Sequence, residues 1–175
     1  PYSASKAAAD MLARSYFVTY GLPVIITRSS NNFGPYQYPE KVIPLFITNL
    51  IRKKRVPLYG DGLNVRDWLY VRDNCAAIDL VLRKGRVGQV YNIGGDCEMT
   101  NRRLTSTILR KMGRGKEYIK YVRDRLGHDR RYSLDCEKIK ALGWRPEYSF
   151  GRALDLTIRW YRDNQIWWER LIRGA

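Results

Sequence analysis

The sequence predicts an α/β fold, and three observations carry that expectation. Short apolar runs rich in β-branched residues alternate with longer amphipathic or alanine-rich segments. Gly, Pro and Asn punctuate the junctions between them. A hydrophobic content of 45% over 175 residues is enough for a sizeable core. The chain opens on a helical segment, PYSASKAAAD, where a parallel sheet would normally have strands before it, so the sheet is expected to be incomplete on its N-terminal side.

Residues 3–21, SASKAAADMLARSYFVTYG, are alanine-rich and end at Gly21 with Pro23 beyond, which reads as a helix and its stop. LPVIITR (22–28) reads as a buried, parallel strand. SSNNFGPYQYP (29–39) is punctuated as a loop. EKVIPLFITNLIRKK (40–54) has a helical apolar face, with Pro44 in the early turns where proline is tolerated. VPLYG (56–60) and NVRDWLYV (64–71) read as two strands around the turn DGLN. RDNCAAIDLVLRKG (72–85) is a helix with a Gly stop, and GQVYNIGG (88–95) a strand. TNRRLTSTILRKMG (100–113) is a helix and YIKYVRD (118–124) a strand. DCEKIKALGW (135–144) is a short helix, and SFGRALDLTIRWYRDN (149–164) a longer one with Ser149 placed to cap it. IWWERL (166–171) reads as a surface for a partner, with no legible function. Trp68, Trp144 and Trp160 are expected in a core or an interface.

Lys and Arg number 32 against 17 Asp and Glu, a net charge of +15, which attracts polyanions: nucleic acid or phosphorylated small molecules. The cations are spread along the chain. The densest group, RKKR at Arg52–Arg55, reads as a solvated face. No apolar run approaches a membrane span and no signal pattern opens the chain, so a cytoplasmic protein without a membrane partner is expected. Cys75, Cys97 and Cys136 are odd in number and widely spaced; they are expected to be reduced thiols, and no metal-ligand spacing is present.

Tyr2 and Lys6 stand at i and i+4, on one helix face. A phenol is a poor base near neutrality, with an ordinary pKa of about 10. A neighbouring ammonium favours the phenolate, so such a pair can take a proton from a substrate hydroxyl. On spacing alone this is a common surface pattern. The one G-x-G candidate, YGDGLN (Gly60, Gly62), lacks a third glycine and leads into a strand, so it is not a phosphate loop.

YSASKAAAD, ITRSSNNFGPYQYPEKVIPLFI, PLYGDGLNVRDWLYVRDNCAAI, VYNIGG and RLGHDRRYSLD occur in that order. Together they resemble the C-terminal half of the extended short-chain dehydrogenase/reductases, in the branch of nucleotide-sugar 4,6-dehydratases. The resemblance implies the C-terminal part of an NAD(P)-binding Rossmann-type domain plus a small α/β substrate-binding subdomain. Residues 1–35 would end the Rossmann-type domain with the Tyr/Lys helix. Residues 36–175 would mainly bind the nucleotide sugar, with segments about 57–95 returning to the Rossmann sheet. NAD is the implied cofactor, dTDP-glucose the implied substrate and a homodimer built on the Tyr/Lys helix the implied assembly.

Residue by residue, the resemblance makes Tyr2 the general base, and Lys6 the residue that holds the nicotinamide ribose and tunes Tyr2. Asn32 would lie near the nicotinamide and Asn31 at the sugar nucleotide. Glu40, Lys41 and Val42 would lie along the substrate, and Pro57 and Tyr59 would wall the thymine. Arg66 would hold the diphosphate and Asn101 another part of the nucleotide. Arg125 and His128 would hold the diphosphate and nucleotide end, where Leu126 replaces the family's proline. Arg suits phosphate because its planar donors match two oxygens at once. Arg66 could otherwise pair with Asp67 or Asp73 on a surface, and His128 is expected to bind by hydrogen bonding, not to work as an acid or base.

The family's glycine-rich NAD loop and its Thr-Asp-Glu elimination stretch precede such a helix and are absent from these 175 residues. The expectation is therefore a fragment, inactive alone and exposing core surface. Three other readings stand beside this one: another NAD-dependent nucleotide-sugar epimerase or dehydratase; more distantly, a basic nucleic-acid-binding module, for which no motif is present; and a degenerate scaffold that keeps the fold as an interaction surface, against which the intact Tyr2, Lys6, Asn31 and Arg66 argue in this half.

Overall fold

The computed structural model describes residues 1–173. Its elements run α1 (Tyr2–Tyr20), β1 (Ile26–Ser29), β2 (Asn31–Phe33), α2 (Val42–Ile51), β3 (Val56–Tyr59), β4 (Val65–Tyr70), α3 (Val71–Lys84), β5 (Val90–Ile93), β6 (Glu98–Thr100), α4 (Asn101–Lys111), β7 (Ile119–Val122), β8 (Arg131–Tyr132), α5 (Glu137–Ala141), α6 (Phe150–Asp163) and α7 (Gln165–Arg173). A 3-10 turn at Lys116–Tyr118 leads into β7. The α/β class expected from the sequence is the class observed.

Strand pairing is mostly parallel. β1 pairs with β5, β2 with β4 and β3 with β7. β4 is the hub: Trp68–Tyr70 pair with β2, while Val65 and its neighbours run antiparallel to β6 and parallel to β8. β3 and β4 flank one turn yet do not pair with each other; each finds its neighbours among strands distant in sequence.

Side chains alternate across β4, so one strand serves two cores. Trp68 and Tyr70 join a large core with Phe33, residues of α2 and α4, and Leu154, Ile158, Tyr161 and Trp168. Leu69 joins a smaller one with Ala77, Val81, Tyr91, Ile93, Ile139 and Trp144. Helix α6 shows why such a helix packs. Ala153, Leu154, Thr157, Ile158 and Tyr161 recur at helical spacing on one buried face, and Ser149 Oγ accepts from the Arg152 N–H at its start. In α2, Pro44 falls in the first turn, where its missing N–H would have no helical partner anyway.

Four departures from the sequence reading have physical causes. The strand expected over 22–28 shortens to Ile26–Ser29, because only these residues pair with β5. The expected loop at 29–39 contains β2, since Asn31–Phe33 find a partner in Trp68–Tyr70. β6 and β8 are further strands of three and two residues, too short to show a period. IWWERL forms most of α7, and its Trp168 lies in this chain's own large core at 0% exposure.

Helix α1 contrasts with the rest: none of its residues is buried. Gly21 ends it at φ 66, the left-handed conformation that closes a helix. Asp10 anchors it to β1 through Arg28 at 2.6 Å.

Candidate nucleotide-sugar site

The segment 123–132 gathers most of the residues singled out for nucleotide binding. Arg125 lies over the Tyr59 ring, 5.2 Å from its centroid, at the C-terminal end of β3. Its Nη2 is 3.4 Å from His128 Nε2, and His128 Nδ1 is 2.7 Å from Asp124 Oδ1. These partners fit the tautomer in which Nδ1–H donates to the carboxylate and Nε2 accepts from the guanidinium. The hydrogen bond from His128, followed by the Arg125 backbone N–H, holds the Asp124 carboxyl below the usual carboxylate range. Asp61 is lowered likewise, first by the Leu63 backbone N–H and then by Arg130, whose Nη1 is 3.0 Å from both carboxylate oxygens.

Arg66 is only 8% exposed. It does not pair with Asp67 or Asp73. Its Nη1 donates to the Val65 carbonyl at 2.7 Å and its Nη2 to the Asp129 carbonyl at 2.8 Å, and the guanidinium lies 4.4 Å from the centroid of the Tyr132 ring. The two aspartates are engaged elsewhere. Asp67 accepts from the Gly95 and Cys97 N–H groups, and Asp73 from those of Glu147 and Tyr148. Asn64 also grips the Asp129 carbonyl, and its own carbonyl accepts from the Asn101 N–H at the start of α4. Asn31 on β2 accepts from the Tyr132 hydroxyl. Thus Arg66, Arg125 and His128 meet on one loop, while Asn31 and Asn101 reach it through Tyr132 and Asn64.

The remaining residues lie outside that hydrogen-bonded set. Pro57 shares the half-buried face of β3 with Tyr59. Glu40 and Lys41 form an exposed pair at 2.7 Å where α2 begins, and Val42 packs against the large core. The described contacts of Tyr2 and Lys6 stay within α1: Lys6 Nζ lies 5.7 Å from the centroid of the Tyr2 ring, and Tyr2 is 75% exposed. Tyr132, Asn64, Asp124 and Gln37 were not singled out by sequence. They act through backbone carbonyls or through other side chains, and no spacing rule announces such contacts. RKKR is exposed throughout.

Asn32 offers a test of the implied cofactor. Its Nδ2 donates to the Ser30 carbonyl at 3.1 Å, whereas Asn32 Oδ1 and Ser30 Oγ are buried without a partner. Buried acceptors left unpaired are costly. A carboxamide NH₂ such as that of nicotinamide is the kind of donor these oxygens lack, so their chemistry fits the group, with both oxygens closed to solvent here. Among the described residues, no cluster of His, Cys, Asp or Glu could hold a metal ion, and no helix is long and apolar enough to cross a membrane.

The model of the GDP-mannose 4,6-dehydratase family matches residues 1–157. The chain belongs to that family. A dTDP-glucose 4,6-dehydratase of Streptomyces antibioticus is 58% identical over 172 residues, covering 98% of this chain and 51% of the relative. The solved dTDP-glucose 4,6-dehydratase of Streptomyces venezuelae, with NAD bound, superposes at a TM-score of 0.96 and 55% identity, over 98% of this chain and 53% of that one. The UDP-glucose 4-epimerase of Thermotoga maritima, solved with UDP-glucose, gives a TM-score of 0.88 at 32% identity, over 94% of this chain and 54% of that one. This member of the family thus spans about half the length of the relatives it matches.

Proposed function

We propose that the chain provides the Tyr/Lys helix and the sugar-nucleotide region of an NAD-dependent dTDP-glucose 4,6-dehydratase. That lyase forms dTDP-4-keto-6-deoxy-glucose for deoxysugar synthesis in the cytoplasm. The observation that carries this reading is the convergence of Arg66, Arg125, His128 and the Tyr59 ring on the 123–132 segment. The exposed Arg125 offers guanidinium donors for a diphosphate beside the Tyr59 ring, while Arg66, its Nη1 and Nη2 bonded to protein carbonyls, anchors the segment and has only its remaining N–H groups to add. Similarity to dehydratases covering nearly all of this chain supports the same substrate class.

In this reading Tyr2 takes the proton of the sugar 4-hydroxyl, and Lys6, whose Nζ lies 5.7 Å from the centroid of the Tyr2 ring, stands on the same helix face. NAD⁺, when bound, supplies the hydride acceptor at the sugar C4 and later the hydride donor at C6. Asn32 holds the carboxamide side of that cofactor, and Lys6 its ribose. Asn31, Asn101 and Pro57 line the nucleotide, and Glu40, Lys41 and Val42 the sugar. His128 has both nitrogens engaged, so it orients Arg125 and transfers no proton.

The homodimer is part of the proposal, supported by the apolar residues that α1 leaves exposed, Met11, Leu12 and Val18 among them. The domain division at 35/36 is likewise proposed. The test joins this chain to the remaining half of the S. antibioticus relative and follows conversion of dTDP-glucose with NAD⁺. Formation of the 4-keto-6-deoxy product supports the proposal. Interconversion of UDP-sugars instead would favour the second reading, a 4-epimerase, which the likeness to the T. maritima enzyme keeps in view. The chain alone is expected to give no turnover. Nucleic acid binding with a steep salt dependence is not expected.

A further inference from the structure

One run of hydrogen bonds joins the last two helices to β2. Trp168 Nε1 on α7 donates to the Tyr161 carbonyl at 2.7 Å. Tyr161, fully buried on α6, donates its hydroxyl to the Gln37 carbonyl, across 124 residues of sequence. Gln37 Nε2 donates to the Asn32 carbonyl at 2.8 Å, closing the turn between them. Asn32 Nδ2 then donates to the Ser30 carbonyl.

The same segment is held a second way. Tyr36 adopts φ 62, a left-handed conformation that non-glycine residues occupy when their surroundings impose it. Its ring packs 4.6 Å from Trp160 and 5.5 Å from Trp167. At Gly34 a Cβ would lie 2.5 Å from Val71 Cγ1, so the turn also sits tightly against α3. Gln37 Oε1 is buried with no partner. Burying a half-satisfied amide where an apolar side chain would pack is unfavourable. That cost is intelligible if the Gln37 bond to Asn32 has a purpose that apolar packing would not serve.

We propose that Tyr161 and Gln37 are positioning residues: they fix the Asn31–Val42 segment, and with it the placement of Asn32 relative to Glu40, Lys41 and Val42. The proposal rests on the dehydratase reading for its consequence, because these positions face the cofactor and the sugar respectively. Burial pushes the Tyr161 hydroxyl above the usual phenol range, so it remains a neutral donor wherever the protein is folded near neutral pH. Hydride transfer tolerates little misplacement, whereas the nucleotide is gripped chiefly from β3, β4 and the 123–132 segment, and Asn31, its one contact on this segment, is held separately by pairing with β4 and by Tyr132.

The test uses Tyr161→Phe, which removes the hydroxyl and keeps the ring, and Gln37→Leu, which keeps the bulk. In the 175-residue chain, both variants should speed amide hydrogen exchange over 31–41 and leave 119–132 unchanged. In the joined enzyme, kcat should fall about 10-fold, while dTDP affinity stays within about twofold. Unchanged exchange over 31–41 overturns the proposal. So does an unaltered kcat per folded molecule accompanied only by a lower Tm. If the unsubstituted joined enzyme makes no product, the dehydratase reading fails, and the exchange measurement decides the Tyr161–Gln37 hold by itself.

Discussion

The Asp124 carboxylate accepts from His128 Nδ1 and from the Arg125 backbone N–H, and this arrangement makes the 123–132 segment sensitive to acid. Asp124, Asp61 and Glu98 all have carboxyls lowered by hydrogen bonds. A carboxyl with a folded pKa below its unfolded one adds stability above the unfolded value, about 4. That stability is lost as pH falls through the folded value. NMR titration should therefore give these three groups midpoints below the ordinary carboxylate range, and Asp124→Asn should remove the part of the acid dependence due to that residue. A midpoint for Asp124 at the ordinary value would contradict the His128 contact. Arg66 offers a second test. Replacing it with alanine leaves the Asp129 carbonyl with only the Asn64 amide and empties a buried site, so stability should fall by about 1–3 kcal/mol in urea unfolding. Nucleotide affinity should fall as well. The residues themselves were marked out in the sequence by the family resemblance, which puts arginines forward for a diphosphate and a tyrosine for a base. Their partners were not, because Val65 and Asp129 present backbone carbonyls, which every residue has.

Helices were the most legible elements. α3, α4 and α6 carry apolar residues at helical spacing, and the cap at Ser149 is an ordinary side-chain signal. The short strands were harder: Asn31–Phe33 and Glu98–Thr100 become strands only by pairing with β4, a partner no local pattern names. Helix α7 was misjudged for a related reason. Two adjacent tryptophans near a chain end look like a surface for something else, yet Trp168 closes the large core and binds the Tyr161 carbonyl. Trp168→Ala should cost about 3–5 kcal/mol, as expected for truncating a buried aromatic. Trp168→Phe should cost less, mainly the lost hydrogen bond of about 1 kcal/mol. Urea denaturation followed by circular dichroism separates the two, and equal small losses would mean that α7 is not part of the core.

Across the whole chain, two cores share β4, and the three free cysteines report on that packing. Cys75 is exposed on α3, Cys97 half-buried and Cys136 buried. Burial, followed by the neighbouring Asp67 for Cys97 and Asp96 for Cys136, pushes both thiols up. A native thiol titration near pH 8 should find one fast cysteine, Cys75, and the other two should react only after unfolding. Equal rates for all three would refute the packing around β5 and β6. The sequence alone was enough for the α/β class, the helices other than α7 and the family motifs, because periodicity, caps and side-chain chemistry are local properties. Tertiary structure decided that Arg66 turns to backbone carbonyls and not to its neighbouring aspartates. It also decided that Asn31 and Asn101 reach the 123–132 segment, and that Tyr161 holds Gln37. Each of these depends on long-range strand pairing and burial, which bring together groups that lie up to 124 residues apart along the chain.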